Sequence, residues 1–200
     1  MTPSDSAATF ALVDATIADI HNAYAAGTLT CRALVEAYLD RIEKIDPKIN
    51  SIISTNPRAL EQADALDAAY AESGQVGPLH GIPMAMKDQG DVIEMPTTMG
   101  SVLFEGHMPE RDSFVTAKLR EAGVVFIAKT TLGEMGAGDT HGSLFGSTSC
   151  VYDTARTAGG SSGGSGAAVS TNLVTAAIGQ EGFASIRRPS TWNGIVGMRP

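Results

Sequence analysis

Basic residues are scarce in this 200-residue chain. Fourteen lysines and arginines stand against 22 aspartates and glutamates, giving a formal net charge of −8. No Lys/Arg cluster could follow a phosphate backbone, and the one adjacent basic pair is Arg187-Arg188, so direct nucleic-acid binding is excluded. Cysteine is nearly absent. Cys31 and Cys150 are the only two, with no CxxC or metal-ligand spacing, and two reduced thiols are expected. Long apolar runs are missing: none approaches the roughly 18 residues that span a bilayer. Met1-Thr2-Pro3-Ser4-Asp5 lacks the basic-then-apolar form of a signal peptide, so a cytoplasmic protein without membrane contact is expected. Histidine is missing after His141. A triad in the order Ser, then Asp or Glu, then His therefore cannot be completed within these residues.

What is present is the composition of a folded protein, 43% hydrophobic and 18% charged. Thr16-Ile17-Ala18-Asp19 has the form of a capping box and opens a first helix that Gly27 ends. Leu34, Val35, Tyr38, Leu39, Ile42 and Ile45 form the apolar stripe of a second helix, from near Thr30 to Asp46-Pro47. Asn56-Pro57 reads as an N-cap followed by proline at the first position of a third helix, ending near Ser73-Gly74. These helices make an N-terminal helical layer over residues 13–74. The grammar then changes. Ile82 to Met86 is apolar on both faces and reads as a buried strand ending at Lys87. Asp112 or Ser113 caps a helix, and Val124 to Ala128 is a second buried strand ending at Lys129. Helix followed by buried strand is α/β organisation, and functional groups gather at such strand ends. Residues 130–158, rich in glycine, read as a long active-site loop or lid. Ala167 to Thr171 forms a short helix, and Val174 to Ile178 a third buried strand.

The chemistry gathers around Gly159-Gly160-Ser161-Ser162-Gly163-Gly164-Ser165-Gly166 and Gln180-Glu181-Gly182-Phe183-Ala184-Ser185-Ile186-Arg187. A Gly/Ser run alone is most often a linker, but Ala167-Ala168-Val169 follows at once. The G-x-S-x-G elbow fits both Gly159-x-Ser161-x-Gly163 and Gly160-x-Ser162-x-Gly164. That pattern is loose, and Arg156-Thr157-Ala158 makes a poor strand to precede an elbow. The other reading takes lysine as base. A lysine of ordinary pKa, ~10.4, is protonated at neutral pH, whereas burial disfavours the charged form. Lys87, after five apolar residues, has that setting, with pairing to Asp88 or Asp91 as the plainer alternative and Lys129 as a rival at the next strand end.

Gly81-Ile82-Pro83-Met84-Ala85-Met86-Lys87-Asp88, Gly159 to Ser165 and Ser185-Ile186-Arg187-x-Pro189 together resemble the amidase signature family. Asp14-Ala-Thr16, Gly27-Thr-Leu-Thr30, Gly77-Pro-Leu-His80 and Gly194-Ile-Val-Gly197 are similar to its flanking segments in the same order. The resemblance implies an α/β fold, a mixed twisted sheet flanked by helices, with residues 77–200 as a catalytic core that is incomplete at its C-terminus. It implies a Ser–cis-Ser–Lys hydrolase of carboxylic amides. Ser185 would be the nucleophile, Ser161 the bridging serine after a cis peptide, and Lys87 the base. The N–H groups of Gly182, Phe183, Ala184 and Ser185 would line the oxyanion hole, with Ser162 and Arg187 in support. No cofactor or metal is implied, and the expected partner is a small-molecule amide. A homo-oligomer is left open. A glutaminase subunit of a tRNA-dependent amidotransferase and a catalytically silent relative are the alternatives.

The chain departs from the family pattern at several points, among them Gln180-Glu181 in place of a usual Thr-Asp and Ala158 where proline is common. Phe183 and Ala184 replace a usual glycine pair, where positive φ would be costly for a residue with a side chain. Arg188 stands where an uncharged residue is common; contact with an acidic substrate group is one reading, and a solvated side chain is the expected one. Family members are also much longer, so the chain reads as the first half of a catalytic domain.

Overall fold

The computed structural model describes residues 10–200. Met1 to Asp5, on which the leader-peptide expectation rests, lie outside them. Helix α1 (Ile17–Ala25) begins on the expected capping box: Thr16 Oγ1 accepts from Asp19 N at 3.1 Å, and Asp19 accepts from Thr16 N at 3.0 Å. Helix α2 (Cys31–Ile45) is capped by Thr30 and passes into a 3₁₀ turn at Asp46–Lys48. Its stripe of Leu34, Val35, Tyr38 and Ile42 is buried. Helix α3 (Ala59–Ser73) starts later than Asn56 predicts. Arg58 is the N-cap, while Asn56 accepts from Arg58 N at 2.8 Å in the turn that leads in.

The segment over 13–74 is not wholly helical, because strand β1 (Ile52–Thr55) lies between α2 and α3. Strands β2 (Pro83–Lys87) and β3 (Val125–Thr130) follow, with helix α4 (Phe114–Glu121) between them and Ser113 as its cap. Strand β8 (Ala176–Ile178) completes a mixed sheet in the order β1-β3-β2-β8, with β1 antiparallel to β3 and the other pairings parallel. Every residue of β2 and β3 is buried. That is the environment of central parallel strands, and it accounts for their continuous apolar runs. Helices α2 and α3 pack on β2 and β3 respectively, and α5 (Gly163–Ser170) packs on both. Among the described residues no helix is long and apolar enough to cross a membrane.

Residues 130–158 are more ordered than the expected loop. They hold a 3₁₀ turn at Glu134–Gly136 and two ribbons, β4 (His141–Gly142) with β5 (Gly146–Ser147), and β6 (Ser149–Cys150) with β7 (Asp153–Thr157). Strands this short carry no readable period, so composition alone could not separate them from loop. Helix α5 starts at Gly163, inside the Gly/Ser run, and a further helix, α6 (Arg187–Trp192), follows the second serine turn. Strand β8 is shorter than expected and only half-buried, as an edge strand is. Cys31 and Cys150 are both buried and free.

Candidate active site

Strand register decides which lysine reaches the serines. In the parallel pairing of β2 with β3, Lys87 lies beside Thr130 and Met86 beside Lys129. Paired residues share a face and successive residues alternate, so the two lysines leave opposite faces of the sheet. Thr130 Oγ1 meets Ser165 of α5 at 2.7 Å, which identifies the Lys87 face as the α5 face. There Lys87 Nζ lies 2.7 Å from Ser161 Oγ and 3.4 Å from the carbonyl of Gln180. Lys87 is 2% exposed, and among the described residues no carboxylate lies within ion-pair reach of it. Burial with no compensating charge pushes its ammonium down to about 8.

Lys129 is built differently. It is fully buried, and its Nζ sits 3.1 Å from Pro96 O, 3.0 Å from Thr97 Oγ1 and 3.3 Å from Asp88 Oδ1. Two hydrogen bonds and one buried ion pair thus hold this ammonium. Burial lowers its pKa while Asp88 pulls it back up. Asp88 therefore pairs with Lys129, not with Lys87.

The Gly/Ser run is neither a linker nor an elbow. Its peptide Gly160–Ser161 is cis. Thr140 N donates to Gly159 O and Gly133 N to Ser161 O, both at 2.9 Å. Glycine at 164 is required by close approach: a Cβ there would lie 2.6 Å from the backbone nitrogen of Thr131, so α5 could not sit against the end of β3. Residues 156 and 157 do end a strand, β7, which sequence reasoning discounted. That strand is a largely exposed ribbon, and the Ser162 hydroxyl is committed to Gln180, donating to its carbonyl and accepting from its N–H, both at 3.2 Å.

Ser161 Oγ donates to Ser185 Oγ at 2.9 Å, so Lys87, Ser161 and Ser185 form one hydrogen-bonded chain. The turn that presents Ser185 is built around Glu181, whose role the sequence reading missed. Burial alone would raise this carboxyl. The N–H groups of Arg187 (3.0 Å) and Ile186 (2.9 Å) and the Arg187 guanidinium (2.7 Å) outweigh burial and hold the pKa at about 2. Arg187 also donates to Phe183 O at 2.5 Å. It braces the turn and does not touch the serines. Phe183 and Ala184 keep negative φ, which removes the strain expected of non-glycine residues here, and the Phe183 side chain stands 90% exposed. Among the described residues the N–H groups of Gly182, Phe183, Ala184 and Ser185 find no acceptor in the protein.

Arg188 is not the solvated side chain expected. Its Nε donates to Gly160 O at 3.2 Å, its terminal nitrogen donates to Gly138 O at 3.2 Å and pairs with Asp139 at 2.8 Å, and its guanidinium lies 5.5 Å from the Trp192 ring centroid. Nothing in the local sequence signals these contacts. Among the described residues no three His, Cys, Asp or Glu side chains are grouped to hold a metal ion.

The Amidase family model matches residues 33–200. The chain is 39% identical over 191 residues to a subunit of the glutamyl-tRNA(Gln) amidotransferase of Acidothermus cellulolyticus, an alignment covering 94% of this chain and 38% of that protein. It is similar in structure to the peptide amidase of Stenotrophomonas maltophilia, with a TM-score of 0.91 and 35% identity over 94% of this chain and 40% of that one. Fatty acid amide hydrolase matches with a TM-score of 0.86 and 28% identity over 96% of this chain and 34% of that one. The chain thus spans about two fifths of the length of the relatives it matches. With the family motifs in register and the fold shared with its solved members, the chain belongs to the Amidase family of amidase signature proteins.

Proposed function

We propose that the chain carries the catalytic machinery of an amidase, hydrolysing a carboxylic amide to the acid and ammonia or an amine through an acyl-enzyme on Ser185. The observation that carries this reading is the Lys87–Ser161–Ser185 chain, with links of 2.7 and 2.9 Å and no carboxylate on the lysine. With Lys87 protonated, Nζ donates to Ser161 and Ser161 donates to Ser185. Loss of that proton reverses both bonds. Ser185 then donates to Ser161, and Ser161 donates to the neutral amine.

In that state attack of Ser185 Oγ on the amide carbon sends its proton through Ser161 to Lys87 Nζ. The same route returns a proton to the leaving nitrogen, so ammonia or an amine departs neutral. Water then attacks the ester, giving its proton to Lys87, and the acid leaves as Ser185 Oγ takes that proton back. The free N–H groups of the Gly182–Ser185 turn stabilise the tetrahedral oxyanion, where loss of one donor in comparable sites costs about 3–4 kcal/mol. Two free cysteines fit a reducing, cytoplasmic setting.

The test is labelling with a serine-reactive fluorophosphonate and mapping of the modified peptide. Modification at Ser185, lost in Ser185→Ala, is the expected result. Modification elsewhere, or none, overturns the reading. A second reading draws on the 39% identity to an amidotransferase component: glutamine hydrolysis with ammonia passed to a partner subunit. Glutamine hydrolysis that appears only with a co-purifying second subunit would select it. Hydrolysis of simple amides by the protein alone selects the amidase.

A further inference from the structure

Three consecutive carbonyls, those of Gly159, Gly160 and Ser161, hold the segment that carries the relay serine. The first and third accept from backbone N–H groups, of Thr140 and Gly133. The middle one, in the peptide bond that leads into Ser161, accepts from a side chain, Arg188 Nε at 3.2 Å. That arginine belongs to the other serine segment. Its own backbone N–H donates to Ala184 O at 2.9 Å, in the turn that presents Ser185. One residue therefore ties the backbone on each side of the gap that Ser161 and Ser185 must bridge. Ser162 also ties the two segments, through its N–H to Ser185 O at 3.1 Å and through its hydroxyl to the carbonyl and N–H of Gln180, both at 3.2 Å.

The guanidinium is itself fixed on three further sides. Gly138 O accepts from it, Asp139 neutralises it at 2.8 Å, and the Trp192 ring lies 5.5 Å away. The fork suits this task, because its planar N–H groups meet two carbonyls and a carboxylate with little freedom to lose. Gly160 is a glycine for the same packing: a Cβ there would lie 2.7 Å from Asp139 Cα. Asp139 cancels the charge, so the side chain is poorly suited to attract an acidic substrate although it is 36% exposed.

We propose that Arg188 is a positioning residue that sets the Ser161 peptide against the Ser185 turn and so fixes the hydroxyl-to-hydroxyl distance of the relay. This rests on the reading of Ser185 as nucleophile. A relay that runs through two hydroxyls is sensitive to small displacements, and a 1 Å misplacement in an active site can cost ~100-fold in rate.

The experiment compares Arg188→Ala and Arg188→Lys with the wild type by two readouts. The first is the rate of fluorophosphonate modification of Ser185 across pH. The second is hydrogen exchange at the amides of Gly133 and Ser162, which report the Ser161 segment without any chemistry. In Arg188→Ala the modification rate is expected to fall roughly 10- to 100-fold, with its pH midpoint unmoved because Lys87 keeps its surroundings. Both amides should exchange roughly tenfold faster, and added ethylguanidinium should restore part of each loss. Arg188→Lys keeps the charge without the fork, and it serves if the alanine variant does not fold. It should lose at least half of the same effects on a logarithmic scale. Wild-type exchange at Gly133 and Ser162 in whichever variant folds overturns the proposal, as does a wild-type modification rate. If the wild type is not modified at Ser185 at all, it is the nucleophile assignment that fails, and the exchange data alone decide on Arg188.

Discussion

At the scale of single residues, the two lysines should titrate and break differently. Lys87 has a pKa of about 8 against 10.5 when exposed, because it is buried without a counter-charge. The base is its neutral form, so reactivity of Ser185 should rise with pH through about 8 and then level off. Stability should move in the same direction. Between about pH 8 and 10.5 the unfolded chain holds a proton that the folded chain has released, so ΔG of unfolding climbs across that window. Lys87→Met should abolish modification of Ser185 while leaving the thermal midpoint at or above that of the wild type. Lys129→Met should do the reverse. Removing one member of a buried pair leaves Asp88 charged and costs about 3 kcal/mol, seen as a lower thermal midpoint, while the pH midpoint of Ser185 reactivity stays put. Spacing placed both lysines at strand ends and could not rank them, because facing depends on register to the residue; only the family motif singled out Lys87.

At the scale of elements, the site depends on two small constructions. The turn from Gln180 to Arg187 is organised by Glu181, with acceptor bonds from two N–H groups and one guanidinium. Glu181→Gln keeps the size and removes the charge. It should release Ile186 and Arg187, lower Ser185 reactivity at least roughly tenfold, and leave Ser161 in place, as peptide-resolved hydrogen exchange would report. With the wild-type carboxyl at about 2 against 4.5 for an ordinary glutamate, its contribution to stability should be full above about pH 4.5 and be lost progressively as pH falls from there through about 2. The second construction is the seat of α5 on β3. Gly164→Ala forces a Cβ against the Thr131 backbone and should destabilise by about 1–3 kcal/mol, measured in denaturant. The sequence showed a helix at Ala167 onward and left the glycines before it outside that helix. Gly163, Gly164 and Gly166 are helix, and their smallness serves close packing.

At the scale of the molecule, β8 is an open edge among the described residues. It pairs with β2 on one side, and beside it lies an apolar groove of about 680 Å³ walled by Val115, Val169, Ile178, Ile195 and Met198 among others. Val196 and Met198 beside it are 97% and 79% exposed. Apolar surface of this extent binds hydrophobic dyes and promotes association. The chain should enhance the fluorescence of an anilinonaphthalene dye, and replacing Val196 and Met198 with lysine should roughly halve the signal without moving the thermal midpoint. An unchanged signal would mean the groove is closed in solution.

Local physics determined much of this protein directly from its residues. Caps, apolar periods and turn residues placed α1, α2, α4 and the two central strands, since each of those signals acts over a few neighbouring positions. The motifs around Lys87, Ser161 and Ser185 pointed to the family because three sets of residues matched in register. The tertiary structure alone decided the rest. It turned Lys87 toward the serines and Lys129 away, gave Glu181 its turn, kept Phe183 and Ala184 at negative φ, and carried Arg188 to the Gly160 carbonyl. Each of those outcomes depends on register or on contacts between segments far apart along the chain, and no local pattern encodes such distances.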